Sequence, residues 1–273
     1  MREPLINIAI EAARAAGNTM VRAVQRLDTL KIAEKGPNDF VTDVDQKIER
    51  DIISLIHKAY PSHSILGEES GETEGDDYQW IIDPIDGTRN FIHGLPHFAV
   101  SIAIAYQNKI EHAVIYDPMR QELFTATRGK GANLNNRRIR VSPRKNMEDC
   151  LFGTGFAFRH TNKENPVPGK ILQSILPICG DIRRAGAATL DLAYVASGRL
   201  DGFWEMGLKR WDIAAGILLV KEAGGLICDP QGGESYYKTG NLVAANPAIM
   251  KQFLKTIQPQ LLADATDPAL RSE

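Results

Sequence analysis

The chain has few cysteines, no long apolar run and almost no net charge. Only three cysteines occur in 273 residues. Cys150, Cys179 and Cys228 are odd in number, far apart and each set among apolar residues. This pattern is typical of buried thiols in a reducing cytoplasm and gives little support to a zinc site or a catalytic cysteine. We therefore expect a cytoplasmic protein without disulfides.

Long hydrophobic runs are also missing. No stretch approaches the roughly 20 apolar residues that cross a bilayer. The N-terminal segment has the amphipathic spacing of Leu5, Ile8, Ala12, Ala16 and Met20. It lacks the continuous apolar core and the small-residue cleavage site of a secretory signal. The sequence therefore predicts neither a membrane span nor a signal peptide.

The chain also lacks an excess of either positive or negative charge. The formal net charge is −2, which argues against a dedicated nucleic-acid binder. One basic cluster is present, made of Arg137, Arg138, Arg140, Arg144 and Lys145. The solvated edge of a hairpin explains this cluster, and an RNA-binding surface stays open as the alternative.

The composition is that of a globular protein, with 43% hydrophobic residues and no internal repeat. Helices are predicted over about Pro4–Arg26 and Val44–Tyr60, where Pro61 stops the second one. The first lobe, residues 1–145, continues with strands and is predicted to be α+β. The second lobe, residues 146–273, alternates short strands with helices and is predicted to be α/β. Residues 162–169 have a loop-like composition, and the last dozen residues are expected to fray.

Several strands and helices are specific enough to be placed. In the first lobe the predicted strands are Ser64–Leu66, Trp80–Ile82, Phe98–Ala105, Ile110–Tyr116, Glu122–Thr127 and Arg138–Val141. Residues 107–109 should join the third and fourth of these as a hairpin. In the second lobe, strands are predicted near Leu151, Ile182, Phe203 and Leu226. They alternate with predicted helices at Lys170–Leu176, Leu190–Ser197 and Ile213–Ala223.

The most informative stretch is Asp83-Pro-Ile-Asp-Gly-Thr88, which follows the predicted strand Trp80–Ile82. Pro84 cannot donate to a sheet, so the strand is expected to end at Asp83. Asp83 and Asp86 are then two carboxylates on a short, stiff segment, and they repel each other unless a cation lies between them. Such oxygen ligands suit magnesium. The alternative is an ordinary turn, because Asp-Pro and Asp-Gly pairs are common turn formers.

Acidic residues elsewhere could converge on the same place. Glu68 and Glu69 follow another predicted strand, and a solvated acidic loop explains them equally well. Asp45, after Thr42, and Asp212, after Trp211, each open a predicted helix, where an N-terminal acid needs no further role.

A run of small residues suggests a surface for phosphate or sugar oxygens. Gly186-Ala187-Ala188-Thr189 opens a predicted helix and would leave main-chain N–H groups uncovered. Close packing of helix against sheet accounts for the same run.

Taken together, these residues resemble the inositol monophosphatase family, and most closely a bacterial branch of it. The resemblance covers about residues 5–255. It rests on two motifs, Trp80-Ile-Ile-Asp-Pro-Ile-Asp-Gly-Thr-Arg-Asn-Phe91 and Trp211-Asp-Ile-Ala-Ala-Gly-Ile-Leu-Leu-Val-Lys-Glu-Ala-Gly-Gly225. Two shorter upstream elements, Gly67–Ser70 and Asp39–Asp45, occur in the same order. The resemblance implies a layered αβαβα sandwich of the sugar-phosphatase type.

The resemblance also implies a metal site and a catalytic pair. Glu68, Asp83 and the carbonyl of Ile85 would hold a first magnesium ion. Asp83, Asp86 and Asp212 would hold a second, and a third, weaker ion would lie near Glu68. Asp45 and Thr88 would orient and deprotonate the attacking water. Two ions about 3.5–4 Å apart can clamp a phosphate and activate water, and inhibition by lithium is expected.

The resemblance also implies a set of substrate contacts, which departs from the family pattern at one position. Gly87 and Thr88 would offer N–H groups to the phosphate, and Glu205 would contact inositol hydroxyls. Asp86, Gly186, Ala188 and Asp212 would complete the substrate pocket. Ala187 stands where several relatives carry Ser or Thr, so one hydroxyl contact is missing there.

Two kinds of function follow. The first is magnesium-dependent hydrolysis of myo-inositol monophosphate. The alternative substrates are adenosine 3′,5′-bisphosphate, fructose 1,6-bisphosphate and histidinol phosphate. The second is a binding role in transcription or RNA-processing complexes, for which Arg137, Arg138, Arg140, Arg183 and Arg184 are weak support. A homodimer is implied by the resemblance, and no membrane partner is expected.

Overall fold

The computed structural model describes residues 4–36, 39–156 and 167–265. Within these residues the helices are α1 (Pro4–Val24), α2 (Asp43–Ala59), α3 (Thr88–Ile92), α4 (Val167–Ile175), α5 (Ala188–Ala196), α6 (Arg210–Glu222), α7 (Tyr236–Thr239) and α8 (Pro247–Ala265). The strands of the first 145 residues are β1 (Ile32–Gly36), β2 (Asp39–Thr42), β3 (Ser64–Gly67), β4 (Gly71–Thr73), β5 (Tyr78–Asp86), β6 (Ala99–Tyr106), β7 (Lys109–Asp117), β8 (Glu122–Thr127), β9 (Gly131–Leu134) and β10 (Arg137–Arg138). The later strands are β11 (Leu151–Thr154), β12 (Asp181–Arg183), β13 (Gly202–Glu205), β14 (Leu226–Cys228) and β15 (Leu242–Ala245).

The two N-terminal helices lie within two residues of their predicted bounds. Helix α2 begins where Thr42 caps it, since the Thr42 hydroxyl accepts from the N–H of Asp45 at 3.3 Å. In return, the Asp45 carboxylate accepts from the Thr42 N–H at 2.9 Å. This reciprocal capping box satisfies two N–H groups that a helix start leaves unpaired, and it orients Asp45.

Eight strands form a large mixed sheet in the order β10-β9-β8-β7-β6-β5-β3-β4. The predicted hairpin between β6 and β7 is confirmed; Gln107 and Asn108 turn it with positive φ values. Strand β3 runs parallel to β5, so Glu68 and Asp83 lie at the same edge of the sheet. The strand predicted over Arg138–Val141 is wrong in its bounds. The polypeptide pairs as β9 and β10 instead, around a tight turn at Asn135 and Asn136.

A second sheet has five strands in the order β12-β11-β13-β15-β14. Strands β11, β12 and β13 are parallel, and β15 pairs antiparallel with both β13 and β14. The four strands predicted in this half are present. Strand β15 and helix α8 had no prediction, although both carry buried apolar residues.

The helices and sheets stack in five layers. Helices α1 and α2 cover the outer face of the eight-stranded sheet. Helices α5 and α6 lie between the two sheets and contribute a large share of the central core. Helices α4 and α8 pack on the far face of the five-stranded sheet. The predicted αβαβα sandwich is therefore confirmed.

Further predictions need correction. Strand β5 does not end at Asp83, because pairing with β6 resumes at Asp86 after an irregularity that accommodates Pro84. Of the three cysteines, Cys150 and Cys228 are buried and Cys179 is only half-buried. The loop predicted over residues 162–169 is a helix from Val167 onward, and residues 162–166 lie outside the described part of the chain.

The frayed end was predicted from residue 263, but α8 continues to Ala265, and residues 266–273 are not described. In the part of the chain that the structure describes, no helix is both long and apolar enough to cross a membrane.

Candidate active site

An acidic cleft opens where strands β3 and β5 end and helices α5 and α6 begin. Its volume is about 150 Å³. The lining residues are Phe40, Glu68, Asp83, Ile85, Asp86, Gly87, Thr88, Arg89, Asn90, Gly155, Phe156, Arg184, Gly186, Ala188, Glu205, Gly207, Leu208 and Asp212. All the predicted site residues line this cleft except Asp45 and Ala187. These two lie directly behind its wall: Asp45 contacts Thr88, and Ala187 packs beside Gly87.

The segment between Asp83 and Thr88 places several of these groups by its backbone shape. The register of β5 against β6 is interrupted between Asp83 and Asp86, where Pro84 and Ile85 together lie opposite a single residue of β6 and form a bulge. Gly87 then turns the chain into α3 with a φ of +89°, a conformation that disfavours other residues. A side chain at Gly87 would also lie 2.9 Å from the carbonyl oxygen of His97.

Asp83 is the most deeply buried of the cleft acids, with 1% of its surface exposed. Burial raises its pKa well above the ordinary value, and the carboxylates of Glu68, Asp86 and Asp212 raise it further. Its Oδ1 atom is buried and has no hydrogen-bond partner in the part of the chain that the structure describes. A buried carboxylate oxygen without a partner is costly, so this position favours a proton or a cation.

Asp86 lies between the bulge and helix α5. Its Oδ2 atom accepts hydrogen bonds from the Thr189 N–H at 2.7 Å and from the Thr189 hydroxyl at 2.5 Å. Burial and the nearby Asp212 carboxylate raise the pKa of Asp86 to about 7, although the bonds from Thr189 oppose that rise. Asp86 thus anchors the start of α5 as well as lining the cleft.

Asp212 reaches the cleft from the first turn of α6. Its Oδ2 atom accepts from the Lys209 N–H at 2.7 Å, so it caps its own helix. The interpretation of Asp212 as an N-terminal helix acid is correct, and the same side chain still lines the cleft. Asp45 likewise caps α2 and contacts a cleft residue.

Asp45 and Thr88 are joined directly. The Thr88 hydroxyl lies 3.3 Å from Asp45 Oδ1 and 2.9 Å from the carbonyl oxygen of Ile85. Burial raises the pKa of Asp45 to about 6, against the hydrogen bonds from Thr42. A carboxyl group of that pKa can take up a proton near neutral pH.

The opposite wall is formed by the second half of the chain. Gly186 and Ala188 line the cleft at the start of α5, and Glu205 lies at the end of β13. Asn90 ties this wall to α3, since its Nδ2 atom donates to the carbonyl of Ala185 at 2.9 Å and to that of His97 at 2.8 Å. The two walls of the cleft are therefore held together by hydrogen bonds.

The charge of the lining determines what the cleft can bind. It contains five carboxylates, from Glu68, Asp83, Asp86, Glu205 and Asp212, and two guanidinium groups, from Arg89 and Arg184. A phosphate ester would be repelled by this excess of negative charge unless cations offset it.

The residues present fit hard metal cations. Among residues 4–36, 39–156 and 167–265, no three His, Cys, Asp or Glu side chains form a preassembled metal-binding group. The donors are nevertheless oxygen atoms of the kind that magnesium prefers, and Asp83 Oδ1 is buried without a partner among them. A small rearrangement around a cation would satisfy that atom.

Several residues of the site had no sequence prediction. They are Phe40, Asn90, Gly155, Phe156, Gly207 and Leu208 in the lining, and Asp191 and Glu49 behind it. Thr189, the last residue of the predicted Gly186–Thr189 run, donates to Asp86. Asp191 is buried, and burial together with Glu205 and Asp86 raises its pKa well above the ordinary value. One sequence signal could have indicated Glu49. It follows the predicted site residue Asp45 by four positions, which is the spacing of one helical turn.

The five-layer fold with an acidic cleft at strand ends defines a phosphatase-type architecture. The model of the inositol monophosphatase family matches residues 1–263, and the chain belongs to that family. It is similar to the Nus factor SuhB of Pseudomonas aeruginosa, with 53% identity over 266 residues, covering 95% of this chain and 97% of that protein.

Two solved structures show the same fold. The extragenic suppressor protein suhB of Bartonella henselae has 44% identity and a TM-score of 0.90, with coverage of 93% of this chain and 98% of that one. An IMPase of Thermotoga maritima has 34% identity and a TM-score of 0.86, with coverage of 96% and 99%.

Proposed function

We propose that this chain is a magnesium-dependent phosphomonoesterase that hydrolyses myo-inositol monophosphate to myo-inositol and phosphate. One observation carries the proposal: four acids line one cleft, namely Glu68 just beyond β3, Asp83 and Asp86 in β5, and Asp212 in α6, and a buried oxygen of Asp83 has no hydrogen-bond partner among the described residues. Membership of the inositol monophosphatase family supports the same conclusion.

The magnesium ligands would be the carboxylates of those four acids and the main-chain carbonyl of Ile85. Two ions would share Asp83, and a third, weaker one would lie near Glu68. Bound magnesium supplies the positive charge that lets a phosphate ester enter the cleft and makes its phosphorus more electrophilic.

The chain's own groups supply the base and the orientation. The Thr88 hydroxyl can accept a proton from an attacking water while passing its own to Asp45 Oδ1, which lies 3.3 Å away. Asp45 is oriented for this role because its other oxygen is held by the Thr42 N–H. The N–H groups of Gly87 and Thr88 would orient the phosphate. Glu205, with Gly186, Ala187 and Ala188 around it, would receive the inositol hydroxyls.

The experiment is phosphate release from inositol 1-phosphate, with and without magnesium and with added lithium. We expect hydrolysis that requires magnesium, is inhibited by lithium and is absent from Asp83→Asn. A folded Asp83→Asn variant that retains full activity would contradict the proposed site.

Substrate choice needs a panel rather than a single assay. Adenosine 3′,5′-bisphosphate, fructose 1,6-bisphosphate and histidinol phosphate are the alternatives. Because Glu205 offers a charged acceptor for hydroxyl groups, we expect the largest kcat/KM for inositol 1-phosphate and a preferential loss of it in Glu205→Gln. Equal kcat/KM for all four esters would refute selectivity for inositol.

A second candidate function is a binding role in transcription or RNA-processing complexes. The observation that favours it is the 53% identity to a protein named a Nus factor. Arg137 and Arg138 are exposed on the edge strand β10, whereas Arg183 forms an ion pair with Asp181. The test is a pull-down with the inactive Asp83→Asn variant. Retained polymerase or RNA binding would support this role, and no binding at low salt would remove it.

We also propose a cytoplasmic homodimer in which the lobes 1–145 and 146–273 act as one unit. The cleft supports a single unit because Asp83 comes from the first lobe, and Glu205 and Asp212 come from the second. Sedimentation velocity would give the oligomeric state, with a monomer at micromolar concentration as the contrary result.

A further inference from the structure

Glu49 is a buried acid that does not line the cleft. It lies on α2, one helical turn after Asp45, with 1% of its surface exposed. Within the described residues it forms no ion pair that would offset its charge. Burying a carboxylate in this way is costly unless its oxygens are well hydrogen-bonded.

Its partners are the main-chain amides on the far side of Glu68. Glu49 Oε2 accepts from the N–H of Glu69 at 2.9 Å, and Oε1 accepts from the N–H of Ser70 at 2.7 Å. On the near side, a methyl group added at Gly67 would lie 2.6 Å from the Glu49 carboxyl carbon. The carboxylate therefore packs against the backbone on both sides of Glu68.

The chemistry of these contacts requires a carboxylate. Two consecutive N–H groups need two acceptors at a fixed spacing, and a carboxylate offers two on one rigid group. An amide would turn one acceptor into a donor facing an N–H. The N–H of Glu68 itself donates to the carbonyl of Ile82 at 3.1 Å, which ties the same loop to β5.

We infer that Glu49 is a positioning residue that holds the Gly67–Ser70 loop so that the Glu68 side chain faces the cleft. Asp45 and Glu49 share one rigid helix, so α2 sets the spacing between the Asp45–Thr88 pair and Glu68. The inference rests on the proposed function in one respect, the use of Glu68 as a metal ligand.

The test compares Glu49→Gln with the unaltered chain by magnesium calorimetry, steady-state kinetics and hydrogen exchange. We expect magnesium affinity to fall about tenfold or more, as is typical when a partner of a metal ligand is lost. Exchange at the amides of Glu69 and Ser70 should accelerate. Excess magnesium should restore part of kcat, and KM at saturating metal should change little.

Two control variants separate positioning from general destabilisation. Ile52→Val shortens a buried side chain of the same helix, and Asp51→Asn removes an exposed carboxylate from it. Both should retain the unaltered magnesium affinity. Glu49→Asp, which keeps two acceptors on a shorter stem, should recover part of the affinity and serves if Glu49→Gln does not fold.

The outcomes distinguish this inference from the proposed function. Unaltered magnesium affinity in Glu49→Gln, or an equal loss in Ile52→Val, would overturn the positioning role even in an active enzyme. A chain that binds magnesium but hydrolyses no ester would refute the phosphatase proposal alone, while affinity and exchange still decide the role of Glu49. A chain that binds no magnesium would overturn both.

Discussion

At the scale of single residues, Asp86 depends on a neighbour that carries no charge. Thr189 donates both its N–H and its hydroxyl to the same oxygen, Asp86 Oδ2, and is itself fully buried. This leaves Asp86 Oδ1 free of Thr189 and fixes the plane of the carboxylate. Because Thr189 is on α5 and Asp86 is on β5, the contact also joins the central helix layer to the eight-stranded sheet.

Removing that hydroxyl should weaken both the fold and the site. We expect Thr189→Val to lower the free energy of unfolding by about 2 kcal/mol, because a buried hydrogen bond to a charged acceptor is lost. The phosphatase rate should fall about tenfold, as for other groups that orient a metal ligand. Urea denaturation and steady-state kinetics measure the two effects.

The matched control is Thr189→Ser, which keeps the hydroxyl. Serine should retain most of the rate, although the lost methyl group costs some stability. A valine variant with the rate of the unaltered chain would show that the backbone N–H alone orients Asp86.

At the scale of elements, Asp229 organises the turn between β14 and α7. Its carboxylate accepts from the N–H groups of Gln231 at 3.0 Å, Gly233 at 2.8 Å and Ser235 at 3.1 Å, and from the Ser235 hydroxyl. Burial opposes the charged form, but these bonds outweigh it and lower the pKa of Asp229. The ionised side chain therefore stabilises the turn.

The lowered pKa of Asp229 determines the direction in which its contribution to stability changes with pH. A carboxyl group whose pKa is lower in the folded chain contributes stability above its unfolded pKa of about 3.9, and that contribution is lost as the pH falls through the folded pKa. We expect Asp229→Asn to cost about 2 kcal/mol at neutral pH and progressively less below about pH 4. Urea denaturation at several pH values gives the difference, and a cost independent of pH would contradict this assignment.

At the scale of the whole molecule, the fold gathers acids that repel one another. Glu68, the segment from Asp83 to Asp86, and Asp212 come from three separate parts of the chain and share one cleft, and the raised pKa of Asp83 reflects burial first and then the neighbouring carboxylates. The three clusters of buried hydrophobic residues offset the free-energy cost of bringing these acids together. Such a cluster of acids lowers the stability of the fold, and the same cluster is suited to binding cations.

Magnesium should therefore stabilise the whole chain. A ligand at about 100 times its Kd adds about 2.7 kcal/mol, which corresponds to a rise of about 5–10 °C in Tm for a protein of this size. Calorimetry with magnesium and with a chelator measures this rise, with sodium at the same ionic strength as the control. Asp83→Asn should have a higher Tm in chelator and a much smaller response to magnesium. An equal response in both proteins would place the ion elsewhere.

The predictions that succeeded depend on local patterns. Pro61 and the apolar stripe of α2 define that helix, and the residues around Gln107 define a hairpin turn. Neither signal depends on contacts with distant parts of the chain. The bounds of β9 and β10 were missed because Asn135 and Asn136, just before the predicted strand Arg138–Val141, turn the chain so that β9 ends at Leu134 and β10 covers only Arg137–Arg138. Strand β5 passes Pro84 because a bulge removes the need for a proline N–H, a choice that depends on pairing with β6.

The features of the site also separate into those that local sequence patterns predict and those that depend on tertiary packing. Local sequence patterns were enough to identify the oxygen-bearing residues and, through the two motifs, the family that they resemble. Tertiary packing alone brings Glu68, Asp83, Asp86 and Asp212 into one cleft, and it places Glu49 against the amides beside Glu68 and Thr189 against Asp86. The physical reason is that hydrogen bonds such as those of Thr189 to Asp86, 103 positions apart, depend on how the sheets and helices pack, and local sequence patterns carry no record of that packing.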